Sequence, residues 1–250
     1  MPLFTRTRTN PIFYRDRLKA LLSDEPQRVE RMRTEPGSLD LLTWNIFASL
    51  DTHHDQDWLA YHLQAVGGAN LRAPVRMSLF SGAQRMPYLR PSAAYVDGLH
   101  RRTGVDGDDP STGVRAFEQP IEVPVRIETP EVLVLVDTGL DRLRAGAGGR
   151  DRLAEVVDSG MEHARRLSSS LVVAVIANAG SSVLDTRIPS LADPRALARL
   201  LPWRRNVLPV LFRGVSWSGL LHLWREERRN LDLDGQPVRA FESYAERSAR

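Results

Sequence analysis

The apolar positions of this chain change period along its length, and the changes mark out its elements. Val123, Val125 and Ile127 alternate with Glu122, Pro124 and Arg126 at the strand period of two. Thr129-Pro130 breaks the run before a second apolar stretch, Val132 to Val136. Residues 117–139 are therefore expected to form a β-hairpin in which 121–127 pairs antiparallel with 132–136. Beyond a glycine-rich connection, Leu153, Val156, Val157, Met161, Ala164 and Leu167 recur at helical spacing and predict a helix over 150–167. Residues 171–177 carry no charge, as a strand buried on both faces would, and are expected in the same sheet.

The remaining pattern is read the same way. Helices are expected over 14–22, 38–50 with Ser38 as N-cap, 57–66, 92–103, 194–200 and 216–228, with one or two helical turns over 27–33. Short strands are expected over 75–80 and 207–212. Residues 34–37 read as a linker, 104–113 as a polar loop and 230–250 as a partly ordered tail. This divides the chain into an N-terminal helical extension and linker (1–37), one domain (38–229) and a C-terminal tail (230–250). The order of elements predicts an α/β (α+β) fold, a mixed central β-sheet flanked by helices.

Composition narrows the chemistry. With 42% hydrophobic and 26% charged residues among 250, the chain can bury a sizeable core. No apolar run has membrane-spanning length, and arginines follow Phe4 where a signal peptide would have its apolar stretch, so a cytoplasmic protein without a membrane partner is expected. The absence of cysteine excludes disulfides and thiolate metal sites, which leaves Mg²⁺ or Mn²⁺ on oxygen ligands as the first metals to consider. Arginine outnumbers lysine so heavily, with Lys19 the only lysine, that GC-rich coding is the simplest account.

The net charge of +3 is modest, but both ends of the chain are basic and the middle is acidic. That distribution suits peripheral phosphate contacts, with Arg204, Arg205, Arg225, Arg228 and Arg229 as the expected exposed contacts, and it equally suits a solvated surface. A protein partner, or a second copy of the chain, would instead need an apolar anchor such as Trp203 or Trp217.

Several local motifs do not complete a site. Asp51 to Asp57 with His62 is the densest group of potential metal ligands, yet acids capping a helix at 57–66 account for most of it. Thr43-Trp44-Asn45-Ile46 resembles the first strand of endonuclease/exonuclease/phosphatase enzymes, but their Gly-Asp-x-Asn and Ser-Asp-His motifs are missing, so Asn45 is read as a helix residue. The aspartates of GVDGDDPSTG lack EF-hand spacing, GAGG lacks phosphate-loop spacing, and GVSWSG is not a nucleophile elbow.

The segments IEVPVRIETPEVLVLVDTGL, GRDRLAEVVDSGMEHA and VLFRGVSWSGLL, in this order, resemble the strand pair, following helix and terminal strand and helix of the PD-(D/E)XK (restriction-endonuclease-like) nuclease superfamily. The resemblance implies a metal-binding Asp on the first strand and Glu-x-Lys on the second. Here Pro124 stands at the Asp position, Asp137 replaces the Glu, Gly139 replaces the Lys, and Arg152 replaces a helix Gln. Asp40 matches an acid that some members carry on the first helix, which makes Asp137 and Asp40 the candidate metal ligands. The depleted motif implies a pseudonuclease, needing no cofactor, that binds nucleic acid or protein. The alternative is an active Mg²⁺- or Mn²⁺-dependent nuclease with a relocated site, drawing on Asp137, Glu122, Glu131 and Asp40, or on the His53 to His62 cluster.

Overall fold

The computed structural model of the chain describes residues 9–68, 71–103, 118–143 and 150–248. In chain order its main elements are α1 (Arg15–Leu21), α2 (Pro26–Thr34), α3 (Leu39–Leu50), α4 (Gln56–Gly67), β1 (Arg76–Ser81), α5 (Ala93–Thr103), β2 (Val123–Glu128), β3 (Val132–Thr138), α6 (Arg152–Leu167), β4 (Ser170–Ala177), α7 (Pro194–Leu200), β5 (Val210–Ser216), α8 (Trp217–Glu227) and α9 (Val238–Ser248). They fall into two compact units: a sheet unit continuous over 55–216, and a helical unit assembled from 1–54 and 217–250. These boundaries differ from a division at 37 and 229. Residues 38–54 and 217–229 belong with the helical unit.

In the sheet unit the strands lie in the order β1-β2-β3-β4-β5. β1, β2 and β3 form an antiparallel meander, while β4 runs parallel to both β3 and β5. The expected hairpin and the expected third strand are thus present in one sheet. The crossover between β3 and β4 is α6, whose apolar stripe of Leu153, Val156, Val157, Met161 and Ala164 is buried. Gly160 explains how closely α6 approaches: a Cβ there would lie 2.8 Å from Leu135 Cδ1 and 3.1 Å from Leu171 Cδ1. On the other side, Gly67 of α4 approaches Val134, the strand neighbour of Leu135. Successive strand residues point to opposite faces, so α4 and α6 cover the two faces and β3 is buried along its whole length.

The helical unit is built around α3, which is buried on nearly every side: large apolar residues cover most of it, and the buried polar Asn45 and Ser49 are hydrogen-bonded. Ser38 caps it, accepting from the Leu41 amide at 3.3 Å. Asn45, a helix residue, clamps the chain before α1: its Oδ1 accepts from the Phe13 amide at 2.9 Å and its Nδ2 donates to the Pro11 carbonyl at 2.8 Å. Phe13 then packs against Trp224 and Phe241, with ring centroids 6.1 and 5.0 Å away.

Two expectations are corrected here. The partly ordered tail expected at 230–250 instead contains a packed helix, since α9 buries Phe241, Tyr244 and Ala245 in the helical unit. The strand expected at 207–212 runs from Val210 to Ser216, because its main-chain pairing with β4 carries it through Arg213-Gly214 where the apolar pattern ends. The loop at 104–113 and most of the glycine-rich connection lie outside the described residues.

Candidate functional site

The site the sequence points to sits where β2 and β3 meet the start of α6. The register steps from Glu128↔Leu133 to Val125↔Val136, and one further step sets Pro124 opposite Asp137. Asp137 is fully buried. Asp151 caps α6, accepting from the amides of Leu153 at 3.0 Å and Ala154 at 3.2 Å, and this turns Arg152 in its first turn towards the strand. Arg152 forks onto the carboxylate: Nε donates to Oδ2 at 3.0 Å and Nη2 to Oδ1 at 3.4 Å, and Nη2 also donates to the main-chain carbonyl of Glu122. The next buried acid on α6, Glu155, is paired with Arg150 at 2.8 Å. Burial raises its pKa, Asp137 adds in the same direction, and Arg150 and Arg152 oppose the rise.

Gly139 directly follows β3, two residues after Asp137. A Cβ there would run into the carbonyl oxygen of Arg142, so the backbone leaves no room for a side chain at this position. The Glu122 carboxylate is half-buried, 3.9 Å from Arg85. Glu131 is exposed and precedes β3, six residues from Asp137 or about 20 Å along an extended strand, so it is not part of the same cluster. Asp40 belongs to the helical unit, where Arg28 holds it at 2.8 Å. In the histidine-rich stretch, Asp55 caps α4, and His62 bonds the Trp58 carbonyl at 2.8 Å while stacking on its indole. Among the described residues no group of three or more histidines or acids is placed to hold a metal.

The arginines divide by unit. Arg225 pairs with Glu246 and Arg228 with Glu242 in the helical unit, where Arg229 is exposed. In the sheet unit Arg205 is exposed, whereas Arg204 is 11% exposed and bound to Asp158 and Glu162. The expectation of an exposed Arg204 is therefore corrected. Neither tryptophan is a projecting anchor: Trp217 is fully buried, and Trp203 packs on Tyr95 while its Nε1 donates to Asp158.

No family model, curated protein or solved structure matches this chain.

Two buried polar clusters on α6 escaped the sequence. Asp158 accepts from the Ser92 amide at 2.6 Å, the Ser92 hydroxyl at 2.9 Å, Trp203 Nε1 at 2.9 Å and Arg204 Nε at 2.6 Å. Farther along, His163 Nε2 accepts from Arg126, whose guanidinium also pairs with Glu128. Burial, with Arg126 and Arg166 nearby, holds His163 down at about 4, and burial, with Arg76 nearby, holds Arg126 down at about 10. The one available signal was the stripe Asp151, Glu155, Asp158 and Glu162 beside the apolar face of α6, which reads as solvated until its arginine partners are known.

Proposed function

We propose that this chain is a restriction-endonuclease-like (PD-(D/E)XK-type) protein that has lost catalysis and works as a binding scaffold, with nucleic acid as its ligand. The order of elements supports the fold reading: helix α4, the antiparallel meander β1-β2-β3, crossover helix α6 and parallel strand β4 follow the arrangement the sequence motifs imply. One observation carries the loss of catalysis, the fork of Arg152 on Asp137. Metal-assisted phosphodiester hydrolysis needs carboxylate oxygens open to a hard cation. Here both oxygens face a fixed guanidinium, the neighbouring strand offers Pro124, and Gly139 cannot orient a water or offset phosphate charge. Nucleic acid is favoured because exposed cations such as Arg205 and Arg229 remain while the tryptophans are turned inward.

Purified protein is expected to leave DNA and RNA uncut with Mg²⁺ or Mn²⁺, and to bind labelled duplex or single-stranded nucleic acid with an affinity that falls steeply between low and physiological salt. Cleavage that disappears in a folded Asp137→Asn variant would speak for an active nuclease instead. Absence of binding at low salt would remove nucleic acid as the ligand.

A further inference from the structure

The sheet unit contains a second feature that the degenerate nuclease site does not use. A cavity of about 420 Å³ opens between the start of α5, the Glu162 and Arg165 face of α6, and the segment from Trp203 to Asn206. It is an open depression, so a ligand seated in it stays in part exposed to solvent. Its walls are fixed by one group, the fully buried Asp158 carboxylate, which ties together Ser92 before α5, Trp203 and Arg204. Ser92 also caps α5 through its Oγ, which accepts from the Tyr95 amide at 3.1 Å. Arg204 reaches on to Glu162 at 3.1 Å, and Arg165 takes the other Glu162 oxygen at 2.9 Å.

The charge of this assembly is not balanced. Asp158 and Glu162 offset two of the three cations Arg165, Arg204 and Arg205. Arg205, on the rim, makes no ion pair among the described residues, and Arg165 is 68% exposed. The amides of Ala93 and Ala94, in the first turn of α5, have no acceptor among the described residues, and both residues line the same space. Asn206 adds an amide side chain. Exposed guanidinium forks beside the first turn of α5 suit an oxyanion with several acceptor oxygens and disfavour a cation.

We infer that the cavity bounded by Ala93, Ala94, Arg165, Arg205 and Asn206 is a phosphate-binding site that takes one phosphate group of a nucleic-acid backbone. The backbone source rests on the binding function proposed above; the site itself does not. The phosphate makes its charged contacts with Arg205 and Arg165, while Arg204 holds the wall through Asp158 and Glu162.

The test measures two ligands with four proteins: wild type, Arg205→Ala, Arg165→Ala/Arg205→Ala, and, as a control that removes the same single charge as Arg205→Ala, Arg195→Ala on exposed surface outside the cavity. A short fluorescent single-stranded oligonucleotide is titrated at several salt concentrations, and inorganic phosphate is scored by the rise in melting temperature over chloride of equal ionic strength. Losing one phosphate contact lowers the slope of log affinity against log salt by about 0.7. The double variant is expected to bind the oligonucleotide about tenfold more weakly with a shallower slope, while Arg195→Ala behaves as wild type. Oligonucleotide binding that is equal in wild type and double variant overturns the site and leaves the nucleic-acid function standing. If wild type ignores the oligonucleotide but gains stability from inorganic phosphate, and the double variant does not, the site stands for a free phosphate group and the nucleic-acid function falls. No response of wild type to either ligand overturns the proposal.

Discussion

At the scale of single residues, Arg152 decides what the centre of the sheet unit can do. Removing it leaves Asp137 charged, buried and without its fork, so Arg152→Met is expected to cost about 3–5 kcal/mol in urea unfolding, and Asp137→Leu added to it should recover most of the loss. Gly139→Lys is expected to destabilise by about 1–3 kcal/mol without installing cleavage, because its side chain must displace the backbone at Arg142. His163 makes stability depend on pH. Its pKa is held at about 4 in the folded protein against an ordinary value of 6.5, so the unfolded chain takes up the proton first. The contribution is whole above pH 6.5 and is lost as pH falls towards 4, an effect on the order of 2 kcal/mol after allowing for solvent at the ring's edge. Urea midpoints across that range check it, and His163→Gln should flatten the slope.

At the scale of elements, legibility followed how local the signal was. The hairpin, α6 and β4 could be read because their apolar periods are clear over Val123 to Ile127, Val132 to Val136, Leu153 to Ala164 and Leu171 to Ala177. β5 was misplaced because backbone pairing with β4 extends it past its apolar residues. α9 was missed although Val238, Phe241, Tyr244 and Ala245 share a helical face, since polar residues fill the rest of the segment. Phe241→Ala should therefore cost about 3–5 kcal/mol in urea unfolding, as a core residue would and a tail residue would not. In the candidate site, Pro124, Asp137, Gly139 and Arg152 were singled out by the family resemblance, and Asp137 and Arg152 do lie side by side because β3 and the first turn of α6 follow each other closely along the chain. Arg126 and Asp158 could not be placed from the sequence. They look like surface residues in their own segments, and their burial depends on His163, Trp203 and Arg204, far away along the chain.

At the scale of the whole molecule, the two units differ in how the chain builds them. The sheet unit is one uninterrupted stretch with its own core, including Leu133, Leu135, Val157, Val173 and Val175. Residues 55–216 expressed alone are expected to unfold in one cooperative urea transition with native near-ultraviolet circular dichroism, whereas residues 1–54 alone should lack a stable fold. Among the described residues no helix is long and apolar enough to cross a membrane.

The split origin of the helical unit also sets a clock on its birth. Phe13, Trp44 and Phe47 leave the ribosome first, but Trp224 and Phe241, which complete their core, are made only after all of 55–216. At ordinary synthesis rates that is a wait of about 10–30 s, during which the sheet unit can fold while an apolar N-terminal segment stays open to chaperones or aggregation. Nascent chains stalled before residue 217 should therefore be captured by a holdase chaperone through the segment that holds Phe13, Trp44 and Phe47, and released once α9 has been made.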